Sequence, residues 1–298
     1  FHADREITIT PGGTSALYAA ITALLHPGYE AIVLEPAYDS YIPAIKLNQG
    51  VPVPVVLKSD NFGIDWPKLE AAIGPKTRLI IMNSPHNPSG SILSADDLDR
   101  LAELIRGKEI HILSDEVYEH IIFDGEQHQS VLGHAGLREK SVAVFSFGKT
   151  FHATGWKTGY FVAPEHLTSE IRKVHQFMVF SVNTPLQYAL ADYLALPKHY
   201  ESLPEFYQKK RDYFLEKISK SRFQAIPSKG TYFQLLSYKA ISDMPDIQMA
   251  EWLTKEHKLA SIPVSVFYTH APSDGVLRFC FAKSNETLKQ AAEILCRI

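Results

Sequence analysis

Several stretches place polar or ionisable side chains directly after apolar, strand-like runs. Pro11-Gly12-Gly13-Thr14-Ser15 follows such a run and opens a helical pattern, so bare backbone N–H groups and a positive helix end are available to receive a phosphate. The other reading is an ordinary glycine turn between strand and helix. Asn83-Ser84-Pro85-His86-Asn87-Pro88-Ser89-Gly90 is bounded by prolines and stiff enough to fix the amide of Asn87, or it is simply a tight turn. Asp115, Glu116 and Tyr118 follow another run, where adjacent acids most often stay solvated or cap the next helix. A further run delivers Ser146, Gly148, Lys149 and Thr150, and Gly155-Trp156-Lys157-Thr158-Gly159-Tyr160 comes after it. A lone lysine after a strand is most often exposed to solvent.

Other chemistries lack their residues. Gly148-Lys149-Thr150 resembles the end of a nucleotide-binding P-loop, but the glycine needed five positions before Gly148 is Ala143. The 13 histidines are scattered, with no His-Glu-x-x-His or paired Cys/His spacing, and no Gly-x-Ser-x-Gly elbow is present. Cys280 and Cys296 match neither a disulfide framework nor a CxxC motif and are expected to be packing residues. The sequon at Asn285 is expected to be a chance match, and Asn87 is excluded as an acceptor by the proline after it. A net charge of −3 gives no long-range attraction to nucleic acid or anionic membrane, though a local basic pocket can still hold a small phosphate. No apolar stretch reaches the roughly eighteen residues a bilayer span needs, and no signal segment is visible. A cytoplasmic protein with a small-molecule partner is expected.

The elements that must position these residues read as α/β. Short β-rich runs at 6–10, 31–35, 51–57, 78–83, 109–114, 142–147 and 159–163 alternate with helical patterns such as 14–25 and 95–105. Several runs are apolar on both faces, as in Leu79-Ile80-Ile81-Met82, which predicts a mostly parallel, doubly wound sheet covered by helices. Beyond Pro164 come long helical stretches at 165–179, 185–196 and 203–221. Strand-like pieces at 231–236, 260–263 and 276–282 follow, with helices near 246–257 and 285–297. These patterns predict a large domain over 1–195 and a smaller C-terminal α+β domain over 196–298. Ligands of open α/β sheets gather beyond the carboxyl ends of strands, where the residues above fall.

In this order, Pro-Gly-Gly-Thr at 11–14, His-Asn-Pro-Ser-Gly at 86–90, Ser-Asp-Glu-Val-Tyr at 114–118, Ser-Phe-Gly-Lys-Thr at 146–150 and Gly-Trp-Lys-x-Gly-Tyr at 155–160 resemble class I/II aminotransferases. These are pyridoxal 5'-phosphate (PLP) enzymes of fold type I. Leu277-Arg278-Phe279 extends the resemblance toward the C-terminus. It implies a seven-stranded sheet sandwiched by helices, a smaller C-terminal domain and a homodimer with shared sites. It further implies that Lys149 forms the Schiff base with PLP and then carries the proton between substrate α-carbon and cofactor. Asp115 would pair with the pyridine nitrogen, Asn87 and Tyr118 would bond the ring oxygen, and Tyr38 would stack on the ring. The phosphate would sit among Gly13, Thr14, Ser146 and Lys157. Arg278 would grip the substrate carboxylate with its bidentate fork, with Asn87 beside it.

Lys157 departs from the arginine many relatives carry, keeping the charge but losing the fork. Gly-Trp-Lys, with Lys173-Val174-His175-Gln176 and Ser181-Val182-Asn183-Thr184-Pro185, resembles the branch acting on methionine, glutamine and aromatic amino acids, including kynurenine. The expected reaction moves an amino group from methionine, aromatic or similar amino acids to a 2-oxo acid. Two alternatives share the cofactor: a cysteine-conjugate β-lyase, and the PLP-binding effector domain of a transcription regulator. The chain begins Phe1-His2-Ala3-Asp4 without methionine, and family members carry a preceding segment that covers the substrate and reaches the neighbouring subunit. A protein starting at Phe1 is therefore expected to be a defective enzyme.

Overall fold

Seven of the apolar runs form one sheet in the computed structural model, which describes residues 1–272 and 274–298. The strands are β1 (Ile7–Thr10), β2 (Glu30–Glu35), β3 (Val51–Val56), β4 (Thr77–Asn83), β5 (His111–Asp115), β6 (Ser141–Ser146) and β7 (Gly159–Val162), in the order β1-β7-β6-β5-β4-β2-β3. From β3 through β2, β4 and β5 to β6 every pairing is parallel. β7 runs antiparallel to both β6 and β1. The parallel centre is dry on both faces, as its sequence predicts: Leu79, Ile80, Ile81 and Met82 are all buried. Their side chains alternate between two cores. Ile80 and Met82 join Ile32, Ile112 and Leu101 on one face, while Leu79 and Ile81 join Val33, Leu113 and the helix Gly13–Leu24 on the other.

Local signals start the helices. Ser94 and Asp97 form a reciprocal capping box at the head of Ala95–Leu104, and the Asp65 side chain accepts from Lys68 N–H at the start of Trp66–Ala72. The second sheet, β8 (Gln224–Ala225), β9 (Phe233–Ser237), β10 (Ile262–Pro263) and β11 (Val276–Cys280), is antiparallel in the order β10-β11-β9-β8. It packs with the helices Leu203–Lys217, Asp246–His257 and Asn285–Arg297 around Tyr207, Phe214, Leu253, Leu277 and Leu288. The two halves interlock: Leu235, Val264, Phe267 and Val276 lie in a core of the large sheet, while Tyr118, Ile121 and Phe123 lie in that of the small one.

Two details differ from the sequence reading. The strand expected to run through residue 147 stops at Ser146, because Phe147 opens a short helix, Phe147–Thr150. Both cysteines are exposed rather than packed. Cys280 shares the alternate face of β11 with Arg278, opposite buried Leu277 and Phe279, and Cys296 lies off the Leu288, Ala292, Leu295 stripe of its helix. Among the described residues, no helix is long and apolar enough to cross a membrane.

Candidate active site

Reversal of β7 decides which residues meet. In the parallel part of the sheet, the segments after β2, β4, β5 and β6 emerge at one edge, bringing Tyr38, Asn87, Asp115 with Tyr118, and Lys149 together. The turn Pro11-Gly12 after β1 opens there too, and because β7 runs the opposite way, Lys157 and Thr158 just before it arrive at the same edge. Gly13, Thr14, Tyr38, Asn87, Asp115, Tyr118, Ser146, Lys149 and Lys157 line one pocket of about 160 Å³. Arg278 joins from β11: its Nη1 donates to Asn87 Oδ1 at 2.5 Å.

The end of the pocket at Gly12 and Gly13 is built from backbone. Gly12, at φ +80°, precedes the helix Gly13–Leu24 with no side-chain cap, so the first N–H groups point outward uncapped. A Cβ at Gly12 would stand 3.5 Å from Lys157 Nζ and Cε, so the lysine stem lies over this glycine. At Gly159 a Cβ would come within 2.6 Å of Phe145 carbonyl oxygen and 2.9 Å of Gly13 nitrogen, so only glycine lets β7 press against the turn.

The opposite end carries a buried acid. Both Asp115 and Glu116 leave solvent, against the usual behaviour of acids at a strand end. Glu116 is hydrogen-bonded away from the pocket, to His128 Nε2 at 2.7 Å and by the Ser114 hydroxyl, which donates to it at 2.8 Å. Asp115 faces the pocket with no cation in ion-pair contact, although the charge of Lys149 acts on it from further away. It accepts from Tyr41 hydroxyl at 2.6 Å and Val117 N–H at 3.3 Å, and burial, only partly offset by these bonds and by the charge of Lys149, raises its pKa to about 6.

The basic groups are spread around the same space. Lys149 Nζ donates to Tyr232 hydroxyl at 3.1 Å and lies 5.5 Å from the ring centre of Tyr118. Arg278 is sandwiched between Phe233 at 4.0 Å and Phe267 at 4.9 Å, which holds the fork flat. None of Lys149, Lys157 and Arg278 ion-pairs with a carboxylate among the described residues. Tyr118 is held protonated chiefly by burial, then by Tyr232 beside it. The pocket and its rim thus offer one buried acid and three cations, none of them in an ion pair, which fits a compact ligand carrying a cationic ring nitrogen, an aldehyde and a phosphate. Among the described residues no cluster of three or more His, Cys, Asp or Glu is placed to hold a metal.

Comparison with known proteins decides the family. The family model described as aminotransferase class I and II matches residues 1–295. The chain belongs to this family. It is 51% identical over 294 residues to a methionine aminotransferase of Escherichia coli, covering 98% of this chain and 76% of that protein. A kynurenine–oxoglutarate transaminase of Rattus norvegicus is 34% identical over 321 residues, covering 98% of this chain and 71% of the other. A solved E. coli structure reported as identifying a methionine aminotransferase function superposes at a TM-score of 0.98 with 50% identity, over 100% of this chain and 79% of that one. The protein is an aminotransferase, and class I/II aminotransferases are PLP-dependent.

Three residues bonded to these side chains escaped the sequence reading. Tyr41 bonds Asp115 from 74 positions away. Asn83 donates to Asp115 carbonyl at 2.8 Å and accepts from Asn87 N–H at 2.7 Å, joining two loops. Tyr232 reaches Lys149 from 83 positions away. Only Asn83, inside a quoted loop, carried a local signal. His86 plays a supporting part: its Nε2–H donates to Pro36 carbonyl at 2.9 Å and its Nδ1 accepts from Ser89 at 2.6 Å, and burial lowers its pKa to about 4, keeping it neutral. It ties the loop of Tyr38 to the loop of Asn87.

Proposed function

We propose that this aminotransferase uses PLP held through Lys149 and takes methionine, with aromatic and similar amino acids, as amino donors to a 2-oxo acid. The observation that carries the reading is a buried carboxylate in no ion pair, Asp115, lining the same small pocket as an amine, Lys149, that is likewise in no ion pair. The substrate class rests on the relatives: 51% identity to a methionine aminotransferase and 34% to a kynurenine transaminase.

Bound PLP supplies an electron sink for the pair left when the substrate α-proton departs. The N–H groups of Gly13 and Thr14, the Ser146 hydroxyl and the Lys157 ammonium would hold its phosphate. Asp115, ionised beside a cation, would keep the ring nitrogen protonated, while Tyr41 fixes the carboxylate. Asn87 and Tyr118 would donate to the ring oxygen, and Tyr38 would cover the ring face. Lys149 Nζ would hold the cofactor and, once released by the incoming amine, carry the α-proton. Arg278 would bind the substrate carboxylate in a fork already flattened by two rings, so little side-chain entropy is lost on binding.

Two further parts of the reading concern assembly. We propose a division at 195/196 into PLP-binding and C-terminal domains, supported by the helix Thr184–Leu194 ending just before Leu203, from which most of the residues of the small sheet's core follow. We also propose a homodimer, supported by the exposed apolar side chains Phe177, Met178, Phe180, Tyr188 and Tyr193.

Lys149→Ala tests the central assignment. In the full-length protein, transfer from methionine to a 2-oxo acid is expected to fall by at least about 10³-fold, and borohydride should no longer fix the cofactor to the chain. A variant that still fixes the cofactor would place the attachment on another lysine.

A further inference from the structure

The hydroxyl that receives Lys149 belongs to a residue outside the motifs, and the backbone around it is shaped to deliver it. Thr231 adopts φ +66°, a left-handed conformation that a β-branched residue rarely takes. Its N–H is held by Ile121 carbonyl at 2.9 Å, and its Oγ1 accepts from Phe233 N–H at 3.2 Å. This turn ends at Tyr232, whose carbonyl accepts from Phe281 N–H at 3.0 Å. The ring is then wedged edge-on to Tyr118 at 5.2 Å and 86°, and lies 5.8 Å from Tyr207. Tyr207 in turn bonds His152 Nδ1 at 3.0 Å, three residues past Lys149. Strain of this kind persists only where surrounding contacts over-determine it.

We propose that Tyr232 is a positioning residue for Lys149, holding its unattached amine by a single hydrogen bond so that the nitrogen stays aimed at the reacting carbon during proton transfer. The inference rests on the assignment of Lys149 above. Released from the cofactor, the lysine amine on its four-carbon stem is free to rotate, and one bond from Nζ–H to a fixed oxygen removes most of that freedom. Tyr232 precedes β9, and β9 pairs with β11 so that Leu235 faces Arg278. One strand pair therefore carries the group proposed to read the substrate carboxylate and the group that sets the amine. Placement of the lysine is thereby tied to the same rigid unit that orients the substrate.

Tyr232→Phe keeps the ring and removes only the hydroxyl. In the cofactor-free full-length protein, labelling of Lys149 by acetic anhydride, followed by mass spectrometry of its peptide, is expected to speed up by roughly three- to tenfold. In the holoenzyme, kcat for methionine should fall roughly tenfold while KM stays within about twofold, because Arg278 is untouched. Tyr238→Phe serves as a matched control: it removes the hydroxyl of a buried tyrosine just past the other end of β9, bonded to Met244 carbonyl at 2.7 Å. It should change neither readout by more than about twofold. Unchanged labelling and unchanged kcat in Tyr232→Phe would overturn the proposal, as would equal changes in Tyr238→Phe. If Lys149→Ala still fixed the cofactor under borohydride, the assignment of Lys149 would fail instead, so the two failures are separable.

Discussion

Asp115 is a carboxylate whose surroundings are unfavourable without a ligand. Because burial raises its pKa from 3.8 to about 6, the folded protein retains a proton between those values that the unfolded chain has lost. Stability contributed at this site therefore falls as pH rises from about 4 to about 6 and stays low above that, unless a bound cation pairs directly with the carboxylate. Asp115→Asn removes the charge. The cofactor-free variant is expected to be more stable than the cofactor-free parent at pH 8, by roughly 2–3 kcal/mol in urea unfolding, with the gain gone below about pH 4. The same variant should bind PLP more weakly and lose transamination. Equal stabilities at pH 8 would mean that the acid already has a partner. At this scale, Lys149, Asp115 and Asn87 were legible because each stands in a short motif. Tyr41 and Tyr232 were not, because their contacts cross 74 and 83 residues and leave no local pattern.

Among the elements, β7 matters most for the site. Its reversal brings Lys157 to the edge where the parallel strands end, and Gly159 lets it lie against both β6 and the Gly12-Gly13 turn. Gly159→Ala would push its methyl into Phe145 carbonyl and Gly13 nitrogen. A loss of roughly 1–3 kcal/mol in urea unfolding is expected, together with weaker PLP binding in a fluorescence titration. Unchanged PLP affinity would separate the turn from phosphate binding. Strand positions were readable because runs such as Leu79–Met82 are apolar on both faces and bounded by turn residues. Strand direction was not, since antiparallel β7 is as apolar as its parallel neighbours. The helices Tyr41–Leu47 and Trp66–Ala72 are seven residues each, too short for apolar periodicity to stand out, and β8 is two residues long.

At the scale of the whole molecule, the helix Glu165–Val179 ends in a bare apolar surface. Phe177 is 87% exposed and Phe180 84%, and Phe180 sits at φ +65°, a conformation an unsupported phenylalanine would not keep. The homodimer proposed above accounts for both observations. Sedimentation of the full-length protein is expected to give a dimer, and the double variant Phe177→Glu with Phe180→Glu a monomer. A parent that already sediments as a monomer would leave the patch to another partner. The central claim is that the pocket joining Lys149, Asp115 and Arg278 holds PLP and exchanges amino groups through it. Its most direct test is the visible spectrum of the full-length protein before and after adding methionine without any 2-oxo acid. The yellow band of bound cofactor should convert to the amine form in proportion to protein and return on adding a 2-oxo acid. A colourless protein that takes up no added PLP, or a bound chromophore that answers to no amino acid, would contradict it.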